Sequence, residues 1–218
     1  SEMHPPRTMG ATRIDGNACG AAVEAALAER IAALPSPPHL AVVIVGDDPA
    51  SHVYVGAKER ACARLGIRST RVDIDAAAEY AEVVATVQRL NADPDVNGIL
   101  VQSPLPSGMD EIAITDLIDP IKDVDGFHAQ NLGRLVQGDA SGLLPCTPAG
   151  VMRMLEWAEV DLSGKRAVVI GRSRIVGMPQ SLLLAQKGAD ATVTIAHSRT
   201  ADMAALCREA DVIIAAVG

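Results

Sequence analysis

The sequence predicts an α/β fold of two domains, each built on a parallel sheet. Apolar runs bounded by turn residues alternate with stretches of helical period, the pattern of parallel strands joined by crossover helices. The alternation occurs on both sides of a segment, Ser103 to Cys146, that is rich in proline, glycine and aspartate. Its second round opens on a glycine-rich turn set between a strand and a helix.

The first clear strand is Leu40 to Val45. Gly46-Asp47-Asp48-Pro49 breaks it, with Asp48 as a helix N-cap and Pro49 in the first helical position, where a missing N–H costs nothing. That helix runs to Leu65 and stops at Gly66. A strand over Ile67 to Ile74, a helix from Ala76 to Asn91 and a strand from Gly98 to Gln102 complete a βαβαβ run. Weak periodicity from Ser103 to Cys146 predicts long loops around short elements. Thr147 then offers an N-cap and Pro148 a first helical position for a helix reaching about Val160. The domain boundary therefore falls near Thr147, giving domains of residues 11–146 and 147–218. In the second, strand Arg166 to Ile170, helix Pro179 to Lys187 with Gly188 as stop, strand Ala191 to Ala196, helix Ala201 to Glu209 and strand Val212 to Val217 follow. Three strands make one mononucleotide-binding half of a doubly wound sheet, so the polypeptide is expected to continue past Gly218. Ser1 to Gly10 shows no apolar period and stays outside the fold assignment.

At 218 residues and 49% apolar content the chain can bury substantial cores. Its net charge is −8 with both signs interspersed, which argues against nucleic acid as a partner. No apolar run approaches the roughly 18 residues of a membrane span. The N-terminus carries no charged-then-apolar signal pattern, and the expectation is a soluble, cytoplasmic protein with no membrane partner. The four cysteines, Cys19, Cys62, Cys146 and Cys207, are scattered and read as reduced thiols. The five histidines are equally isolated, so no metal is expected.

Gly171-Arg172-Ser173-Arg174-Ile175-Val176-Gly177 lies where a strand ends and a helix begins. Glycines there let the backbone approach a pyrophosphate, and amides at a helix N-terminus favour its charge. Ser173 stands where the dinucleotide fingerprint has its second glycine, and a plain glycine turn would look the same in isolation. The strand before it, the helix after it and the βαβ context favour a Rossmann-like dinucleotide site. The next strand ends in His197-Ser198-Arg199-Thr200, without the carboxylate that usually binds the NAD ribose. Arg172 and Ser198, with Arg199 as a third, supply charge and hydroxyl donors to a 2′-phosphate, so NADP is the expected cofactor; ordinary solvated loop residues are the alternative.

In the first half, Tyr54 and Lys58 are spaced i, i+4 on the helix after the first strand, on one face and near the carboxyl end of the sheet, where open α/β sheets bind ligands. A surface pair at helical spacing is the alternative. Val101-Gln102-Ser103-Pro104-Leu105-Pro106 brings a neutral amide to the same edge. In Lys122-Asp123-Val124-Asp125-Gly126-Phe127, the two aspartates are either routine turn residues or groups aimed at that crevice.

These segments, together with Val45 to Ser51, Pro120 to Leu135, Pro145 to Pro148 and Gly171 to Pro179 in that order, resemble the FolD family of bifunctional methylenetetrahydrofolate dehydrogenases/cyclohydrolases. The resemblance covers nearly the whole chain from Ile14 onward. It implies that Lys58 is the catalytic lysine, with Tyr54 and Gln102 beside it, and that Asp125 holds the pterin end of folate. Val101 and Ser103 flank Gln102 in the implied folate pocket, Ser103 standing where the family usually has leucine. Gly171, Arg172, Ser173 and Ser198 match family positions that bind NADP. The family's later strands, Gly-rich folate loop and closing helix have no counterpart up to Gly218.

The resemblance further implies tetrahydrofolate derivatives as substrates, a homodimer, and a place in one-carbon metabolism that feeds purine biosynthesis. Two linked reactions are implied, oxidation of 5,10-methylenetetrahydrofolate by NADP and hydrolysis of the methenyl product to 10-formyltetrahydrofolate. Lys58, partly desolvated in a cleft, is the expected acid/base, and Gln102 fixes its amine without adding charge. Tyr54 is expected to place its ring on the folate and its hydroxyl in the same network, and Asp125 to accept from adjacent pterin N–H groups. The rival readings are another NADP-linked oxidoreductase of the same plan and a folate- or nucleotide-binding protein without catalysis.

Overall fold

In the computed structural model, which describes residues 10–218, the strand β1 (His39–Val45) is buried on both faces and organises the first half of the chain. It lies between β2 (Arg68–Ile74) and β3 (Gly98–Val101) in a parallel sheet of order β2-β1-β3. The register pairs Leu40 with Ser69 on one side and with Gly98 on the other. Side chains alternate across a strand, so β1 serves two cores. Ala41, Val43 and Val45 face α3 (Tyr80–Ala92) and α4 (Glu111–Leu117) through Val83, Val87, Leu90 and Ile114. Val42, Ile44 and Leu100 face α2 (Pro49–Leu65) through Val55. An isolated helix of this length is marginal in water, whereas full burial of one such valine contributes about 1.5 to 3 kcal/mol. Packing on the sheet therefore decides where α2 lies.

The second half repeats the scheme, with β4 (Arg166–Ile170) between β5 (Thr192–Ala196) and β6 (Val212–Ala215) in a parallel sheet of order β5-β4-β6. Ala167 and Val169 of β4 pack with Leu155 of α6 (Cys146–Trp157) and Leu184 of α7 (Gly177–Ala185). The chain is thus an α/β protein with a parallel sheet in each half, and α8 (Met203–Glu209) returns between β5 and β6. Two helices tie the halves together. α1 (Gly16–Ala32), which sequence periodicity leaves unassigned, packs on both α2 and α6. α5 (Ala129–Gln137) packs on α7, where the Gln186 amide donates to Leu135 O at 2.9 Å.

Helix α2 has the predicted ends: the Asp48 carboxylate accepts from Ser51 N, and Gly66 closes it in the left-handed region at φ 80°. Other boundaries differ from expectation. The helix expected from Ala76 begins at Tyr80, because Asp75 binds the amides of Ala77 and Ala78 into a turn. Thr147 is not an N-cap. Pro145 occupies that position, and Thr147 and Pro148 sit inside the first turn of α6, where amides have no intrahelical acceptor to lose. The same helix stops at Trp157, since Glu159 turns left-handed at φ 56° and Val160 N bonds back to Leu155 O. Helix α7 spans Gly177–Ala185, starting before Pro179 and ending before Gly188, because Gln186 is already extended. α8 starts at Met203 with Asp202 as its cap, and β3 and β6 end at Val101 and Ala215. Residues 1–9 of the N-terminal stretch without apolar period lie outside the described residues. No helix among the described residues is long and apolar enough to cross a membrane.

Candidate active site

Lys58 and Gln102 come from opposite sides of the crevice at the carboxyl edge of the first sheet. Residue 102 is fixed by the sheet itself, since Gln102 N continues the ladder to Val43 O at 2.8 Å. Lys58 is set by the seating of α2, whose buried Ser51 accompanies the Asp48 cap and lies 3.3 Å from Ser103 O. Helix start and strand exit are thereby joined. Lys58 Nζ then donates to Gln102 Oε1 at 2.8 Å, while Gln102 Nε2 donates to Ser103 O at 3.1 Å. One neutral amide so holds the amine and orients the chain beyond it. Val101 is half-buried and Ser103 exposed at the mouth of this crevice.

The structure separates the two aspartates. Asp123 is 1% exposed, and its Oδ2 accepts from His128 N at 2.8 Å and from Asn131 Nδ2 at 2.9 Å. Asn131 also donates to Pro120 O and accepts from Leu143 N, so this pair anchors the loop rather than facing a ligand. Lys122 secures the preceding residue by donating to the final carbonyls of α3, including Asn91 O at 2.9 Å. Asp125, beyond this anchor, lies in the field of Lys58. Burial pushes its carboxyl up to about 6, the Lys58 charge opposing that rise and Asp123 adding to it. Gly126 makes the bend possible: its φ is +72°, and a Cβ there would sit 2.4 Å from Leu144 C.

Tyr54 is on the same helix, but its ring is 61% exposed. Among the described residues its hydroxyl has no hydrogen-bond partner, so it does not join the Lys58–Gln102 pair as expected. Residues four apart share a helix face, yet Lys58 reaches Gln102 while the tyrosine stays exposed to solvent.

The turn after β4 places Gly171 at φ +120°, where a Cβ would lie 2.4 Å from Ala216 O, and Gly177 against it, where a Cβ would lie 2.3 Å from Gly171 O. Only glycine fits either position. Ser173 Oγ accepts from Val176 N at 3.1 Å and Gly177 N at 3.4 Å, so two amides at this helix start are held by the serine instead of being offered outward. The amides of Arg172, Ser173 and Arg174 have no acceptor among the described residues. Arg172 is exposed beside them, and Ser198 is exposed in a turn closed by His197 N on Thr200 Oγ1 at 2.8 Å. A glycine floor whose amides at Arg172, Ser173 and Arg174 have no acceptor among the described residues fits a dinucleotide diphosphate.

Residues 14–125 match the model of the tetrahydrofolate dehydrogenase/cyclohydrolase catalytic domain, and residues 145–218 match its NAD(P)-binding domain. The chain belongs to the tetrahydrofolate dehydrogenase/cyclohydrolase family. A curated relative, the bifunctional protein FolD of Acidiphilium cryptum, is 55% identical over 210 residues, covering 96% of this chain and 74% of the relative. The crystal structure of the FolD enzyme of Campylobacter jejuni is 44% identical with a TM-score of 0.92, covering 95% of this chain and 74% of that one. The Trypanosoma brucei FolD, complexed with NADP cofactor and inhibitor, is 36% identical with a TM-score of 0.90, covering 95% and 72%.

Within this family frame, sequence reasoning missed Asn131 and the burial of Asp123, whose mutual bond decides that Asp125 is the aspartate left for the crevice. The signal was present only as an asparagine eight residues after Asp123, a spacing that means nothing until α5 folds back. It missed Glu111 as well. That carboxylate accepts from Ser103 Oγ at 3.0 Å and from Leu105 N, reaching the strand exit from the start of α4. Among the described residues, no group of three or more His, Cys, Asp or Glu is placed to hold a metal ion.

Proposed function

We propose that this chain oxidises 5,10-methylenetetrahydrofolate to the methenyl form with NADP and hydrolyses the methenyl form to 10-formyltetrahydrofolate in the same crevice. The observation that carries the reading is the 2.8 Å bond between Lys58 Nζ and Gln102 Oε1, set beside the raised carboxyl of Asp125 at the carboxyl edge of the sheet. When bound, NADP supplies the acceptor for the hydride. Gly171, Arg172, Ser173 and Ser198 are the residues proposed to hold it, Arg172 and Ser198 at the 2′-phosphate. The folate is proposed to lie against Tyr54, Lys58, Val101, Gln102 and Ser103, with Asp125 accepting from the pterin N–H groups.

Hydrolysis adds water to the methenyl carbon, opens the ring and releases one proton. Lys58 is the group proposed to move protons in that step, and Gln102 holds its amine without a charge that would lock it. Tyr54 contributes the face of an exposed ring, available for stacking on a flat ligand. A different NADP-linked oxidoreductase would have no use for this lysine–amide pair and the nearby aspartate. A homodimer, a cytoplasmic location and a role in purine biosynthesis complete the proposal and rest on the family resemblance; light scattering tests the first.

The decisive experiment follows methenyl formation from methylenetetrahydrofolate with NADP, and separately the loss of methenyltetrahydrofolate above its spontaneous rate. Both activities are expected. Absence of both from folded protein would overturn the proposal.

A further inference from the structure

Arg174 belongs to the cofactor turn by sequence, yet its side chain crosses to the first domain. Its guanidinium lies 3.8 Å from Glu111 Oε2 and 5.6 Å from the centre of the Phe127 ring. Glu111 opens α4 and Phe127 lies in the loop before α5, both on the proposed folate side of the crevice. Glu111 also accepts from Ser103 Oγ at 3.0 Å, so the contact runs from the cofactor turn to the residue that follows Gln102. Phe127 follows Asp125 across the Gly126 bend, which backbone contact fixes against Leu144. The cavity beneath, lined by Val101, Leu105 and Ile175 among others, has a volume of about 40 Å³. That is room for a few waters, so the groups at the junction are closely packed.

We infer that the Glu111–Arg174–Phe127 junction is a positioning device that sets the cofactor turn against the folate loops. Glu111 is its pivot. The inference rests on the proposed dehydrogenase/cyclohydrolase reading, and its logic is geometric. Hydride transfer needs two ligands held in register by different domains, and a displacement of about 1 Å can cost on the order of 10²-fold. Hydrolysis of the methenyl form uses only the folate side. A joint between the halves therefore matters to the first reaction and hardly to the second. The guanidinium suits the place, because it can meet a carboxylate at its edge and an aromatic ring with its face, which an ammonium cannot do together.

Arg174→Met keeps the apolar stem and removes both contacts. NADP-linked oxidation is expected to fall by about 10-fold or more, while hydrolysis assayed without nicotinamide changes by less than about twofold. Arg174→Lys, which restores only the charge, should recover part of the loss. Glu111→Gln retains a side-chain acceptor for Ser103 and should reproduce the selective loss, with the double variant no worse than the worse single one. Independently of activity, hydrogen exchange in nucleotide-free Glu111→Gln should quicken by about 3-fold or more at the bonded amides of the turn, Gly171, Val176 and Gly177, in the other domain. Unchanged exchange at that turn, equal loss of both activities, or fully multiplicative losses in the double variant would overturn the inference. A wild-type protein with neither activity would instead sink the proposed function and leave the exchange test standing.

Discussion

Asp125 is a carboxylate kept where its charge is disfavoured, and that has a measurable cost. Its pKa stands at about 6 in the fold against an ordinary value of 3.8, mainly through burial. A rise of that size corresponds to about 3 kcal/mol at most, and because the group keeps some access to water we expect about 1 to 2 kcal/mol. The sign follows from linkage. Between 3.8 and about 6 the unfolded chain loses this proton while the native protein keeps it, so stability falls as pH rises through that window and stays lower above it. Asp125→Asn removes the ionisation and keeps the shape. Urea unfolding of both proteins between pH 4 and 8 should show little difference at the acid end and a variant more stable by about 1 to 2 kcal/mol above pH 7. The same variant should bind folate poorly, since an amide offers one acceptor where the carboxylate offers two oxygens. In the wild type, folate affinity should weaken as pH falls through about 6. A stability difference that does not change with pH, or a variant less stable at pH 7, would refute the account of this residue.

Lys58→Met should lower methenyl hydrolysis by about 10²-fold or more, with a smaller effect on oxidation; near-normal hydrolysis by the folded variant would remove the lysine from proton transfer. NADP should be used with higher kcat/KM than NAD, and Arg172→Ala should weaken NADP by about 1 to 3 kcal/mol while leaving NAD nearly unaffected, as tested by steady-state kinetics with both cofactors. Gly126→Ala places a methyl group on the Leu144–Pro145 backbone at a left-handed residue, so the 123–127 loop must shift. A loss of about 2 kcal/mol or more in urea unfolding, with weakened folate binding, is expected, and a neutral substitution would contradict the packing described.

Periodicity and punctuation determined the strands, the parallel plan and the ends of α2, because these depend on neighbours in the chain: an aspartate before a proline, a glycine after the last turn, apolar runs long enough to be buried on both faces. Glycines 171 and 177 were legible as a tight strand-to-helix turn for the same reason. Helix α1 escaped because it has little apolar asymmetry of its own and buries only Cys19 as it bridges α2 and α6. The start of α3 moved because Asp75 takes the amides of Ala77 and Ala78 into a turn, and that of α6 because Pro145 already holds the cap position. The site divides along the same line. That Lys58, Gln102 and Asp125 share one edge of a sheet follows from their places after strands and within the helix that joins them. Three things required tertiary structure: that Asn131 claims Asp123 and leaves Asp125 to the crevice, that Tyr54 stays exposed with its hydroxyl outside the Lys58–Gln102 pair, and that Arg174 leaves its own domain for Glu111. The sequence alone could not rank these alternatives, because hydrogen bonding and burial are settled by which groups meet in space, and a chain read in order carries no measure of that distance.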